Sequence, residues 1–140
     1  MNVANKNSYS KDVFSSLASA SGEITVEVNG VQKKGPVSGA EIRPGDIAVN
    51  FDMNPGGPLN SLIAVLVKKE ALNQKIQLPS PSVYFLYQDP PQEEWVAEKG
   101  WIRVEWVAGS KKVQGLFDGI TSDRPESAKL NHGKFEFTVD

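Results

Sequence analysis

Acidic side chains and a tryptophan crowd together in "QDPPQEEWVAEKG", where Asp89, Glu93, Glu94 and Glu98 flank Trp95. Two carboxylates held across a sugar ring at the right separation can hydrolyse a glycosidic bond. The same acids beside a flat ring also suit sugar binding without hydrolysis, because the ring is apolar and the acids accept hydroxyl protons. Sequence does not set the distance between the acids, and acidic loops are most often simply solvated. The stretch therefore reads first as a binding loop, with an acid/base hydrolase as the weaker reading.

The other aromatics sharpen that reading. Trp95, Trp101 and Trp106 fall in one loop-and-hairpin region, with Tyr84 and Tyr87 on a strand before it. Alternation along "WIRVEW" sends Trp106 inward with Ile102 and Val104, and Trp101 to the opposite face. Trp95 lies in the proline-bearing loop and is expected to be exposed. The binding residues this selects are Trp95, Trp101, Glu93 and Glu94.

Other chemistries find less support. There is no cysteine and no G-x-S-x-G elbow, so nucleophilic catalysis lacks its usual groups. The single histidine, His132, sits in "LNHGK", a predicted turn where Asn-His-Gly suits a positive φ. A zinc site needs clustered His, Cys or carboxylates. Asn50, Asp52 and Asn54 alternate at a strand end before Pro55-Gly56-Gly57 and offer oxygen ligands to calcium, but the full loop signature is missing. Asp118 and Asp123 around Gly119 form a weaker version of the same pattern. No catalytic residue, metal or cofactor is assigned, and no motif is specific enough to name a family.

The chain of 140 residues carries a formal net charge of −2. Nucleic-acid binding normally shows a basic excess, which is absent here. The longest apolar run, "LIAVLV", is far too short to span a bilayer. The opening residues are polar, without a signal-peptide core. A cytoplasmic origin is the default expectation, and a processed or leaderless secreted chain would read the same.

The elements that must position these residues are strands. Residues 1–21 read as a polar arm with a short helix, Ser10 its N-cap and Val13, Phe14 and Leu17 its apolar stripe. Residues 22–140 read as one β-domain. Ile24, Val26 and Val28 alternate with polar residues before Asn29-Gly30, the signal of a type I′ hairpin. "RPGD" at 43–46 predicts a type II turn with Gly45 at positive φ. Ile47, Val49, Phe51 and Met53 share one face of the next strand. "SLIAVLVK" is apolar on both faces, as a central strand would be, and "KKEALNQK" fits one helical turn. "SVYFLYQ" is a further strand. "WIRVEWVAGSKKVQGLFDGI" reads as a hairpin turning at Gly109-Ser110, and "GKFEFTV" closes the chain with Phe135, Phe137 and Val139 on one face. Val113, Gly115, Phe117 and Gly119 also share a face, which suggests aromatic rings covering strand glycines in a core. Lysine pairs at 33–34, 68–69 and 111–112 fit strand ends guarded against edge association.

About eight strands with regular turns predict an all-β, single antiparallel β-sandwich or flattened barrel behind a short N-terminal helix or arm. The expected function is a non-enzymatic binding module acting through loops and an aromatic face. Its partner would be a protein, including a second copy of the chain. A small carbohydrate-binding domain is the alternative.

Overall fold

The computed structural model describes residues 14, 17–58, 60–90 and 94–140. It is all-β. The strands are β1 (Ala20–Val28), β2 (Val31–Ile42), β3 (Asp46–Asp52), β4 (Leu62–Lys68) and β5 (Lys75–Gln77). They are followed by β6 (Val83–Gln88), β7 (Trp95–Val96), β8 (Lys99–Glu105), β9 (Lys112–Thr121) and β10 (Leu130–Val139). A single 3₁₀ turn, Lys69–Ala71, follows β4, where one helical turn was expected.

These strands form one antiparallel sheet of ten, ordered β5-β8-β9-β10-β1-β2-β3-β4-β6-β7 and curled into a half-barrel. The all-β antiparallel fold expected is present, but a sandwich of two sheets is not seen, and the single curled sheet lies nearer the flattened barrel expected beside it. The reason lies in β2. Its first half pairs with β1, its second half pairs with β3, and its register slips between Val37 and Gly39. A bulge of this kind bends a strand and raises its twist, so one long strand turns the corner that a sandwich would leave to a loop. The segment from Trp95 to Glu105 makes a second corner. Its β7 end pairs with β6 and its β8 end with β9, while Ala97 N–H donates to Phe85 O and Glu98 N–H to Thr121 O, both at 2.9 Å.

The concave side holds the core. Ile24, Val26, Ile47, Val49, Phe51, Ile102, Val104, Val113, Phe117, Phe135 and Phe137 are all buried there, as their alternation requires. Curling brings strands that are distant in the sheet into contact: Phe85 of β6 meets Phe117 of β9 edge-on at 5.0 Å, and Phe51 of β3 meets Phe135 of β10 at 5.3 Å. Both are favourable aromatic geometries.

A smaller apolar cluster lies on the convex side of β3, β4 and β6, formed by Ala48, Ala64, Leu66, Tyr84 and Leu86. Phe14 covers it, stacked on Tyr84 at 5.9 Å, with Leu17 alongside. β4 is thus buried on both faces, as its continuous apolar run implied. The helix expected over this N-terminal stretch lies largely outside the described residues. Gly39 permits the approach of the arm, because a Cβ there would stand 2.9 Å from Leu17 Cβ, and Ala40 N–H donates to Ala18 O at 2.9 Å.

The turns divide. Asn29 and Gly30 take φ of 51° and 84°, as a type I′ turn requires. Gly109, at φ 88°, makes the β8–β9 turn, with Ser110 N–H donating to Val107 O at 2.9 Å. Gly45 does not adopt positive φ, so "RPGD" is not the type II turn expected. The Arg43–Asp46 ion pair at 2.7 Å and the Arg43 N–H to Asp46 O bond at 2.8 Å close it instead. Lys33 and Lys34 lie inside the half of β2 that pairs with β1 and not with β3, not at the strand end expected.

Candidate functional site

His132 illustrates how local sequence and strand pairing meet. Its φ is 54°, the positive value expected, but it stands within β10 and not in a turn. Thr25 pairs with Lys134 and Glu27 with Asn131, so His132 and Gly133 together oppose Val26 in a bulge. Backbone donors that the bulge removes from the ladder are taken up by side chains: His132 N–H donates to Asp118 Oδ1 at 2.9 Å, and Gly119 N–H donates to Asn131 Oδ1 at 3.1 Å. Asp118 is thereby given a structural task. The exposed imidazole faces Glu27, with Nδ1 3.2 Å from its carboxylate. Gly119, expected on the core face, is displaced by this irregularity, and Ile120 is buried next to it.

The oxygen-rich strand end resolves in a similar way. Asp52 Oδ1 accepts from Asn54 N–H at 3.0 Å, an Asx turn of ordinary kind. The Asn54 side chain lies over Gly57, where a Cβ would come within 2.1 Å of it. Asn50 has a side-chain oxygen that is buried without a hydrogen-bond partner. Among the described residues no group of His, Cys, Asp and Glu assembles as a metal cluster.

The expected binding residues are dispersed. Trp95, expected to be exposed, is buried at 7% exposure. The two-residue pairing of β7 with β6 draws it inward, where it packs on Tyr87 at 5.3 Å. Glu94, one residue before, is turned the other way by strand alternation. Its charge and, more strongly, burial raise the pKa of Tyr84, and its backbone oxygen accepts from Arg124 Nη2 at 2.9 Å. Trp101 lies on the convex face of β8, with Lys75 Nζ 4.7 Å above its ring. Trp106 is capped likewise by Lys69 at 4.5 Å, and its indole N–H donates to Ser110 O at 2.8 Å. These contacts are cation–π pairs and cover ring faces a sugar would need. Glu93 lies outside the described residues.

A different constellation comes together at one end of the half-barrel. The β1–β2 turn, the β3–β4 loop, the β6–β7 connection and the β9–β10 loop converge there on Tyr87 and Asp89. Two adjoining hollows share Val28, Tyr87 and Asp89. One, of about 380 Å³, continues along Trp95 to Arg124 and Glu126. The other, of about 210 Å³, continues past Asn54 and Ser61 to Lys33. Tyr87 is itself buried, and its hydroxyl donates to Asp89 Oδ2 at 3.3 Å. Burial, and then the adjacent Asp89 carboxylate, hold its phenol well above the ordinary pKa range. Asp89 is exposed, so its carboxylate is oriented by Tyr87 and still open to the groove.

The far wall is braced from within. Arg124 N–H donates to Ser122 Oγ at 3.1 Å, and the Ser122 and Ser127 hydroxyls are hydrogen-bonded to each other. With Arg124 Nη2 also holding Glu94 O, this loop is tied to the base of β7. The arrangement presents an aromatic floor, a fixed acceptor at its centre and cations toward each end. It can hold a polar ligand by hydrogen bonds. Among the described residues, Trp95 is the one expected binding residue that lines this groove. Asp89 belonged to the acidic cluster but was not selected for binding, Lys33 belongs to a lysine pair that reads as edge protection, and Arg124 carries no local pattern that would have marked it. Comparison with protein-family models, with curated proteins and with solved structures yields no match to this chain.

Proposed function

We propose that the protein is a non-enzymatic binding module that seats a polar segment of a protein partner in the groove around Tyr87 and Asp89. One observation carries the reading: loops far apart in sequence converge on a carboxylate that a buried tyrosine orients and that lies between Lys33 and Arg124. A peptide segment supplies both N–H donors for Asp89 and carbonyl or carboxylate acceptors for the cations. Binding sites are commonly concave, with a few fixed polar groups above an apolar floor, and loops on a rigid sheet are the usual place for them.

A small saccharide is the second reading, favoured by the Tyr87–Trp95 floor beside Asp89 and Asn29. It is weakened by the shallow exposure of both rings, since sugar stacking needs an open face.

One experiment separates the two. The wild-type chain, Asp89→Lys and, as a control outside the groove, Glu70→Lys are used to capture partners from the native source and are applied to a glycan array. The protein reading expects a partner retained by wild type and Glu70→Lys and lost with Asp89→Lys. Specific glycan signals lost with Asp89→Lys favour the saccharide. Equal behaviour of wild type and Asp89→Lys on both surfaces rejects the groove.

A further inference from the structure

The convex face of β8, β9, β10 and β1 carries charge in rows that cross the strands. Register sets Arg103 opposite Leu116, Leu116 opposite Lys134, Lys134 opposite Thr25 and Thr25 opposite Lys34. This is a row of cations with a leucine between them. Two residues along each strand, Glu105 faces Gln114, Gln114 faces Glu136, and Glu136 faces Glu23. This is a row of carboxylates, about 6.6–6.8 Å from the first by strand rise. Leu116 is 47% exposed, one of the exposed large apolar side chains among the described residues. A shallow depression of about 320 Å³ lies between the rows over the backbone of Gly115.

We propose that this face is a self-association surface whose partner is a second copy of the chain. The charge pattern complements itself under one operation. A two-fold axis parallel to the rows and midway between them places the basic row of each copy on the acidic row of the other. Arg103 then meets Glu105, and Lys134 meets Glu136, each pair occurring twice, as an isologous interface demands. Leu116 of each copy is set toward the depression of its neighbour. Within one copy Arg103 Nε already reaches Glu105 across the rows at 2.7 Å, while Glu136 is held at 3.2 Å by Lys112, which lies beyond the acidic row. Such exposed pairs are worth little alone, so their carboxylates can take a second cation at small cost. The face is convex, which confines contact to these central strands and makes the dimer a reversible one of small area.

Sedimentation equilibrium on the full chain tests this. The weight-average mass should climb toward that of a dimer with increasing concentration at low salt. It should fall back in roughly 1 M salt, where the screening length shrinks to about 3 Å. The double reversals Arg103→Glu/Lys134→Glu and Glu105→Lys/Glu136→Lys should each weaken association by about tenfold or more. An equimolar mixture of the two should associate again, since each then offers the rows the other needs. Melting curves of both variants check that they fold, and Leu116→Asp provides a milder variant should either reversal fail that check. A wild-type chain that stays monomeric at every concentration overturns the proposal. So does association that neither reversal nor Leu116→Asp alters.

Discussion

The ring of Phe135 on β10 reaches over its cross-strand partner Gly115 on β9, so closely that a Cβ at Gly115 would stand 2.2 Å from Phe135 Cζ. The relation is reciprocal two residues along each strand. Phe117 of β9 covers Gly133 of β10, again within 2.2 Å of where a Cβ would be. The glycines make room for rings that then reach Phe51 and Phe85 across the half-barrel. The glycine–phenylalanine runs near the C-terminus are therefore the way the last strands pack.

Gly115→Ala should destabilise the fold by about 1–3 kcal/mol, the usual cost of overpacking a tight core. Phe117→Ala should cost about 3–5 kcal/mol, since it vacates the space of a buried aromatic. Urea melts measure both. In a double-mutant cycle, Phe135→Leu should relieve part of the Gly115→Ala penalty, because the two residues share one volume. Strict additivity would contradict the packing described.

Trp95→Ala should cost about 3–5 kcal/mol and not the few tenths typical of a surface tryptophan. Its fluorescence in the native state should be blue-shifted and poorly accessible to iodide. A change below about 1 kcal/mol would return Trp95 to the surface and remove the floor from the groove.

Alkaline pH should reveal Tyr87. A phenol whose folded pKa is raised contributes stability that is complete below its unfolded value of about 10 and is lost as pH climbs through the folded value. Wild type should therefore lose stability progressively as pH rises above about 10, and Tyr87→Phe should lose measurably less over that range. Tyr84, shifted in the same direction by burial and Glu94, should contribute in the same sense, so Tyr84→Phe/Tyr87→Phe should be flatter still. Parallel profiles for all three proteins would refute the assignment.

Phe14→Ala should remove about 1.5–3 kcal/mol, the value of burying one phenylalanine, although Phe14 precedes the first strand. Gly39→Ala should show a loss through the same contact, since Leu17 must shift. Denaturant midpoints that leave both variants level with wild type would mean that the arm contributes nothing to folding.

Much of this molecule is legible in the chain because strand alternation is a local property. Ile24, Val26 and Val28, then Ile47, Val49 and Phe51, then Phe135 and Phe137 point to the core at every second position, and any strand with one buried face must do so. The hairpins at Asn29-Gly30 and Gly109-Ser110 follow from the positive φ that Asn29, Gly30 and Gly109 accept. What lay beyond local sequence was pairing. The bend in β2 at Val37–Gly39 turned an expected sandwich into one curled sheet. The two-residue pairing of β7 with β6 took Trp95 out of solvent, in a stretch whose prolines had marked it as a loop. Strands β5 and β7 were too short to leave a period. The meeting of Asp89 with Lys33 and Arg124 depends on strands far apart in sequence, and no spacing encodes it. Residue types and turn chemistry thus determined which faces are apolar and where the chain reverses. Closure of the sheet decided which side chains share the groove, because hydrogen-bond register between distant strands is set only when the whole core packs.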